Sequence, residues 1–237
     1  MSNPYFQFKQ FTIFQDRCAM KVGTDGVLLG AWADVSSART VLDIGTGTGL
    51  LSLMTAQRSP SAKITAIEID IDAARQAKEN FEKSAWNDRI NIVNTSLQEF
   101  SEKSDGKFDL IICNPPYFNH SLKSPSDSRT TARHTDSLSF QDLANCAFRL
   151  VSEEGIFAVI LPTTEFDIFL NISLSIGFHL KRRTDVYPTS MSQHSKRNMA
   201  EFVKNEISCA YNNLIIETTR RHEYSDEYKT LTKDFYL

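Results

Sequence analysis

From about residue 40 onward, short apolar runs alternate with amphipathic segments. Residues 40–44, 64–69, 90–94, 109–113 and 156–161 are rich in Val and Ile and bounded by polar or turn-forming residues, the pattern of buried strands. Between them, residues 50–58, 72–84, 140–150 and 164–176 repeat apolar positions three and four apart, which places them on one face of a helix. Gly155 and Gly177 stand where helix stops and turns belong. The alternation predicts βα units, a mostly parallel central sheet and helices on both of its faces. The last third changes character. Residues 180–187, 197–204 and 213–218 read as longer, partly alternating strands, expected to pair antiparallel at one edge. The chain is thus expected to be one α/β domain with an N-terminal segment (1–39), a core (40–178) and C-terminal strands and tail (179–237).

One stretch breaks the regularity. Residues 119–139 are rich in Ser, Thr, Asp, Arg and His, lack apolar periodicity and are long for a connection in a compact domain. Insertions of this kind are lids or substrate loops, or have no fixed structure, and this one carries Arg129, Arg133 and His134.

Composition narrows the class. The chain has 237 residues, 41% hydrophobic and 23% charged, enough for one large core. Lys9, Asp16, Arg17 and Lys21 interrupt the opening sequence, so no signal-peptide pattern is seen, and no apolar run is long enough to span a bilayer. A cytoplasmic protein without a membrane partner is expected. Cys18, Cys113, Cys146 and Cys209 are widely spaced and form no Cys-x-x-Cys, which points to reduced thiols and no metal site. A formal charge of -3 argues against indiscriminate coating of nucleic acid. It leaves room for local basic sites, and cations do cluster at Lys181-Arg182-Arg183, Lys196-Arg197 and Arg220-Arg221.

Two motifs carry chemistry. The first is Asp43-Ile-Gly-Thr-Gly-Thr-Gly49, at the end of a strand and the start of a helix, followed by Glu68 at the end of the next strand. Glycines at such a turn let a ligand approach the backbone, and an acidic strand end suits ribose hydroxyls. The spacing Gly45, Gly47, Gly49 departs from the Gly-x-Gly-x-x-Gly that exposes a helix N-terminus to a pyrophosphate. With Asp43 ahead of it, the turn suits a cofactor bearing ammonium and sulfonium groups.

The second motif is Asn114-Pro115-Pro116-Tyr117, directly after an apolar strand. Taken alone it is an ordinary proline turn. Two prolines fix φ near about -65° and donate no N–H, which leaves the Asn114 and Pro115 carbonyls available as acceptors. Tyr117 adds a planar face. The loop is built to hold a flat amide or amine.

Together these motifs resemble those of class I S-adenosylmethionine-dependent methyltransferases acting on exocyclic amino or amide nitrogens, whose fold is Rossmann-like. Residues 11–26, Ala132-Arg-His-Thr135 and the tail from Tyr224 to Leu237 extend the resemblance to the family of tRNA-Val adenine-N6 methyltransferases, which modify the adenosine beside the anticodon. The resemblance implies S-adenosylmethionine as cofactor, tRNA as partner and no obligatory protein partner. It implies that Asp43 and the Gly45, Gly47, Gly49 backbone hold the methionine end, that Glu68 holds the ribose, and that Thr24 and Asp25 close over the pocket. Ser96 stands where the family usually has an acidic residue for the cofactor's adenine. Asn114, Pro115 and Tyr117 would be catalytic, with Asn114 also lining the cofactor pocket. Pro116, Tyr117, Arg129 and Arg133 would contact substrate.

Rival readings share one motif each. Methyltransferases of release-factor glutamine also carry Asn-Pro-Pro-Tyr, but normally behind a helical domain, whereas only about 40 residues precede the first core strand here. Other nucleobase N-methyltransferases share the loop, although those acting on rRNA guanine usually have Phe at the position of Tyr117. A dinucleotide-dependent oxidoreductase or a nucleotide-binding regulator would explain the glycine turn and leave Asn-Pro-Pro-Tyr without a purpose.

Overall fold

A computed structural model describes residues 3–18, 20–116 and 138–237. The chain opens with a small antiparallel hairpin, β1 (Tyr5–Gln7) and β2 (Thr12–Phe14), then helix α1 (Thr24–Trp32). The βα units follow: β3 (Thr40–Ile44), α2 (Leu50–Arg58), β4 (Lys63–Glu68), α3 (Ile71–Glu82), β5 (Ile90–Asn94), α4 (Leu97–Lys103) and β6 (Phe108–Cys113). Beyond them lie α5 (Phe140–Leu150), β7 (Val151–Pro162), α6 (Thr163–Ile176), β8 (His179–Thr189), β9 (Arg197–Val203), β10 (Ala210–Glu217) and α7 (Asp226–Thr232).

Eight strands form one sheet in the order β10-β8-β9-β7-β6-β3-β4-β5. From β7 to β5 every pairing is parallel, so the C-terminal ends of these strands share one edge, where ligands bind in open α/β sheets. β9 runs antiparallel between β7 and β8. β10 departs from the antiparallel pairing expected of the last third, because it lies parallel to β8. The cause is geometric. β9 already has a neighbour on each side and ends at the far edge, so the chain re-enters along the outer ladder of β8 in the direction of β8.

The sheet buries both faces, as alternation along its strands requires. On one face Val41, Leu110, Ile112, Ala158, Ile160 and Met199 pack with residues of α1, α2 and α3. On the other, Leu42, Ile44, Ile111, Phe157, Val159 and Phe202 pack with α5 and α6. Gly177 ends α6 in the left-handed conformation with φ 110°, as the sequence suggests. Gly155 corrects that reading, because it lies inside β7 where the register against β6 shifts. A Cβ there would sit 2.7 Å from the Phe108 carbonyl oxygen, so the glycine serves a bulge and not a turn.

The two ends of the chain meet. Phe235 is buried and its carbonyl accepts from the Lys9 backbone N–H at 2.9 Å, while Gln57 Nε2 donates to the Asp234 carbonyl at 2.8 Å. Rings of Phe6, Phe8, Tyr236 and Tyr228 pack in series at this seam. The hairpin, the tail and α2 are thereby fixed to one another behind the glycine turn.

Candidate active site

The turn from β3 into α2 uses three left-handed glycines: Gly45 at φ 65°, Gly47 at 57° and Gly49 at 87°. Side chains rarely adopt this region, which explains the residue type without appeal to a ligand. Gly49 has a second reason. A Cβ there would lie 2.4 Å from Phe81 Cε1, so α3 can close over the turn only because this residue has no side chain.

Asp43 holds the turn from beneath. Its side chain has no exposed surface, and Oδ2 accepts from Thr46 Oγ1 at 2.5 Å, from Ser52 Oγ at 2.7 Å and from the Ser52 backbone N–H at 3.1 Å. Oδ1 is buried without a partner among the described residues. Burial pushes the carboxyl up to about 6, against the downward pull of the Ser52 and Thr46 hydrogen bonds. Glu68 sits at the rim of the same turn, where Oε2 accepts from the Gly47 N–H at 2.9 Å and Oε1 from the Asp70 N–H at 3.0 Å. Those bonds aim the carboxylate at the turn and leave it partly open to solvent.

Neighbouring β6 ends level with β3, Cys113 opposite Ile44, and delivers Asn114 to the same edge. Asn114 is half-buried, Pro115 buried and Pro116 exposed. Asn114 Oδ1 is buried and accepts no hydrogen bond from the described residues. A buried acceptor without a donor costs about 1–3 kcal/mol, so its persistence at a strand end points to a ligand donor. Helix α1 closes the side: a Cβ on Gly26 would lie 2.9 Å from Leu50 Cδ2 and 3.8 Å from Asn114 Nδ2. At the start of α1, Thr24 is exposed, and Asp25 Oδ2 accepts from Arg197 Nε at 2.7 Å.

The structure therefore gathers Asp43, Gly45, Gly47, Gly49, Glu68 and Asn114 at adjacent strand ends, with Thr24 and Asp25 beside them. Ser96 follows β5, two strands from β3, and its Oγ accepts from the Glu99 N–H at 3.1 Å as the cap of α4. That bond leaves the hydroxyl proton for donation and uses a lone pair locally. Tyr117, Arg129, Arg133 and His134 lie outside the described residues.

Several contributors carry little signal in the sequence. Asn80 in α3 is buried; its Oδ1 accepts from the Phe14 N–H at 3.0 Å, and its Nδ2 donates to the Phe14 carbonyl at 2.9 Å and the Thr48 carbonyl at 2.8 Å. One amide thus ties the hairpin, α3 and the glycine turn together. Arg197 is far from Asp25 in sequence, and only the sheet order brings β9 to α1. Thr46 and Ser52 sit within and just past the glycine motif, and their spacing from Asp43 was the available clue.

Chemically, the site combines a backbone open to close approach, a rim carboxylate, one buried unpartnered carboxylate oxygen and one unpartnered amide oxygen. Acidic groups and unfilled acceptors suit a cationic cofactor with hydroxyls and suit a pyrophosphate poorly. Among the described residues no group of three or more His, Cys, Asp or Glu side chains could hold a metal ion, and no helix is long and apolar enough to cross a membrane.

Comparisons with known proteins agree with this geometry. Residues 20–131 match the family model described as the methyltransferase small domain. A tRNA1(Val) (adenine(37)-N6)-methyltransferase of Phocaeicola vulgatus is 52% identical, with 100% of this chain and 99% of the relative covered. The protein of that name from Escherichia coli O157:H7 is 44% identical, covering 98% of this chain and 94% of its own. Among solved structures, a predicted O-methyltransferase from Agrobacterium tumefaciens superposes with a TM-score of 0.68 at 19% identity, over 89% of this chain and 96% of the other. At that identity the likeness speaks for the Rossmann-like methyltransferase fold alone.

Proposed function

The chain belongs to the tRNA1(Val) (adenine(37)-N6)-methyltransferase family, and from that membership we propose that it methylates N6 of adenosine 37 in the anticodon loop of tRNA1(Val), with S-adenosylmethionine as donor. The observation that carries the reading is the buried, unpartnered Oδ1 of Asn114 at the strand end next to the glycine turn.

An aromatic exocyclic amine is a weak nucleophile because its lone pair is delocalised into the ring. Asn114 Oδ1 and the Pro115 carbonyl accept the two amine hydrogens and draw the nitrogen toward tetrahedral geometry. Its lone pair then points out of the ring plane, toward the glycine turn. No strong base is needed before transfer, and the proton is lost from the more acidic methylated ammonium afterwards. Orientation of this kind supplies roughly 7–11 kcal/mol of barrier reduction, with electrostatic stabilisation added. When bound, S-adenosylmethionine supplies the electrophilic methyl group. Asp43 and the backbone of Gly45, Gly47 and Gly49 accommodate its methionine end, Glu68 accepts from its ribose hydroxyls, and Ser96 can donate toward its adenine. Thr24 and Asp25 line the side closed by α1. Tyr117 stacks on the target base, a contact worth about 1–3 kcal/mol, while Pro116, Arg129 and Arg133 contact the RNA. A base in an anticodon loop is cheaper to extrude than one in a duplex, where extrusion costs a few kcal/mol.

The test is methyl transfer from labelled cofactor to total tRNA followed by nucleoside analysis. N6-methyladenosine confined to a valine tRNA is expected. Label in a release factor, or in a nucleoside other than adenosine, contradicts the reading.

A further inference from the structure

We propose that the β8–β9 loop (190–196) and the β10–α7 turn (218–225) form a raised basic wall beside the Asn114 shelf, which grips the phosphates of an RNA stem next to the target loop. The inference rests on the RNA-methylating function proposed above.

The strand register gives the wall its height. Asn114 follows Cys113, which pairs with Val159, so it stands level with Ile160, and through Met199 with Thr184 of β8 and Asn212 of β10. β8 continues from Thr184 to Thr189 and β10 from Asn212 to Glu217, with Thr189 opposite Glu217. At about 3.3 Å per residue both strands overshoot the shelf by roughly 16 Å. With strands about 4.8 Å apart, the wall stands about 10–19 Å to the side of β6.

The two crests are fixed and joined. The Ser190 N–H donates to the Glu217 carbonyl at 3.0 Å, which ties one turn to the other. In the first, the Lys196 carbonyl accepts from the Thr163 N–H at 3.3 Å, and Thr163 Oγ1 donates to the Ser195 carbonyl at 3.0 Å. In the second, the Thr218 N–H donates to the Glu223 carbonyl at 2.7 Å and the Glu223 N–H to the Arg220 carbonyl at 3.2 Å. His222 is held in the left-handed region at φ 66°, its N–H bonded to Glu217 Oε1 at 3.1 Å. Strained, over-determined turns of this kind concentrate at functional sites.

Ion pairs occur at both ends of these strands, with Arg197 bound to Asp25 at 2.7 Å on the raised side, but three cations there stay outside them. At the opposite end Lys181 pairs with Asp34 at 3.5 Å, Arg182 with Glu201 at 2.7 Å and Lys204 with Glu153 at 2.9 Å. On the wall Lys196, Arg220 and Arg221 are exposed, and none makes an ion pair with a described residue. Of the nearby acids, Asp185 accepts from Arg183 and Asn198 and Glu217 from the His222 backbone, while Glu223, Glu227 and Asp226, the last 3.5 Å from Lys229, are exposed. Three exposed cations without an ion-pair partner among the described residues thus stand together on the raised edge beside the shelf, where they fit phosphates, and the protein's negative net charge disfavours RNA elsewhere on its acidic surface.

The experiment compares the full-length protein with K196A/R220A/R221A and with the charge-keeping K196R/R220K/R221K. Affinity for unmodified tRNA1(Val) is measured across a salt series, and S-adenosylhomocysteine affinity reports on folding. The alanine variant is expected to bind S-adenosylhomocysteine normally, to bind tRNA at least tenfold more weakly, and to show a log–log salt slope shallower by about 2–3. The charge-keeping variant should match the parent. An unchanged slope and affinity in the alanine variant, while the parent methylates tRNA, overturns the wall alone. A parent protein that leaves tRNA unmodified overturns the functional reading itself.

Discussion

Replacing Asn80 tests how the cofactor side is held together. The alanine variant removes three hydrogen bonds at once and leaves the Phe14 N–H, the Phe14 carbonyl and the Thr48 carbonyl without their partner. Each such bond contributes about 1 kcal/mol net, and a group left buried and unsatisfied costs about 1–3 kcal/mol. Thr48 is buried and has little access to water, whereas Phe14 is half-buried and can recruit it. The expected loss is therefore about 3–4 kcal/mol, a large part of the stability of a typical domain. The aspartate variant sharpens the reasoning. It keeps an acceptor for the Phe14 N–H but turns a carboxylate oxygen toward two carbonyls, so at pH 7.5 it should be less stable than the alanine variant. Protonation restores one donor, and the order should narrow or reverse near pH 5. Urea denaturation read by linear extrapolation gives the energies, and titration with S-adenosylhomocysteine gives the cofactor side, where about a tenfold loss is expected if the turn loosens by about 1.4 kcal/mol. An alanine variant within about 0.5 kcal/mol of the parent, with unaltered cofactor affinity, refutes the view that this amide staples hairpin, helix and turn together.

Other positions give independent tests. Gly49→Ala must adopt φ 87° and place a Cβ 2.4 Å from Phe81 Cε1, at a combined cost of about 2–5 kcal/mol; adding Phe81→Leu should recover the steric part, and a double variant no better than the single refutes the clash. The Asp43 carboxyl, raised to about 6 in the fold, keeps its proton more firmly folded than unfolded. Its contribution to stability is full below about pH 4, the unfolded value, and is lost as pH rises through 6, about 3 kcal/mol in all. The stability of the parent relative to Asp43→Asn should therefore fall across that window, and a pH-independent difference counts against it. Arg197→Ala releases Asp25 at the start of α1 and should raise the Kd for S-adenosylhomocysteine several-fold, with Arg197→Lys partly restoring it; equal Kd values in all three proteins remove Arg197 from the pocket's support.

The sheet was legible where burial on both faces leaves few choices. Residues 40–44 are an apolar run between turn residues, and β3, buried at four of its five positions, begins and ends there; β5 also keeps its bounds of 90–94, but as an edge strand carried by Ile90, Ile92 and Val93. The glycine turn was legible for a related reason, since left-handed turns demand glycine. Helix α1 was missed because it is apolar nearly all round, buried from Gly26 to Trp32, and shows no amphipathic period. α7 was missed because its seven residues are too short for a period to emerge. β10 was found, but its direction was not, because the direction depends on which ladder remains free after β9 has two neighbours. Asn80 and Arg197 escaped for the same reason: their partners Phe14 and Asp25 are 66 and 172 residues away. Local pattern carries no trace of such pairings.

The central claim is that Asn114 keeps Oδ1 free of protein donors so that it can accept a hydrogen from the target amine. Single-turnover methyl transfer by Asn114→Ala, saturated with S-adenosylmethionine and tRNA1(Val), tests it most directly when paired with its S-adenosylhomocysteine Kd. The account predicts transfer slowed by at least 100-fold, with the Kd within about threefold of the parent. Near-parental transfer at intact cofactor binding contradicts it.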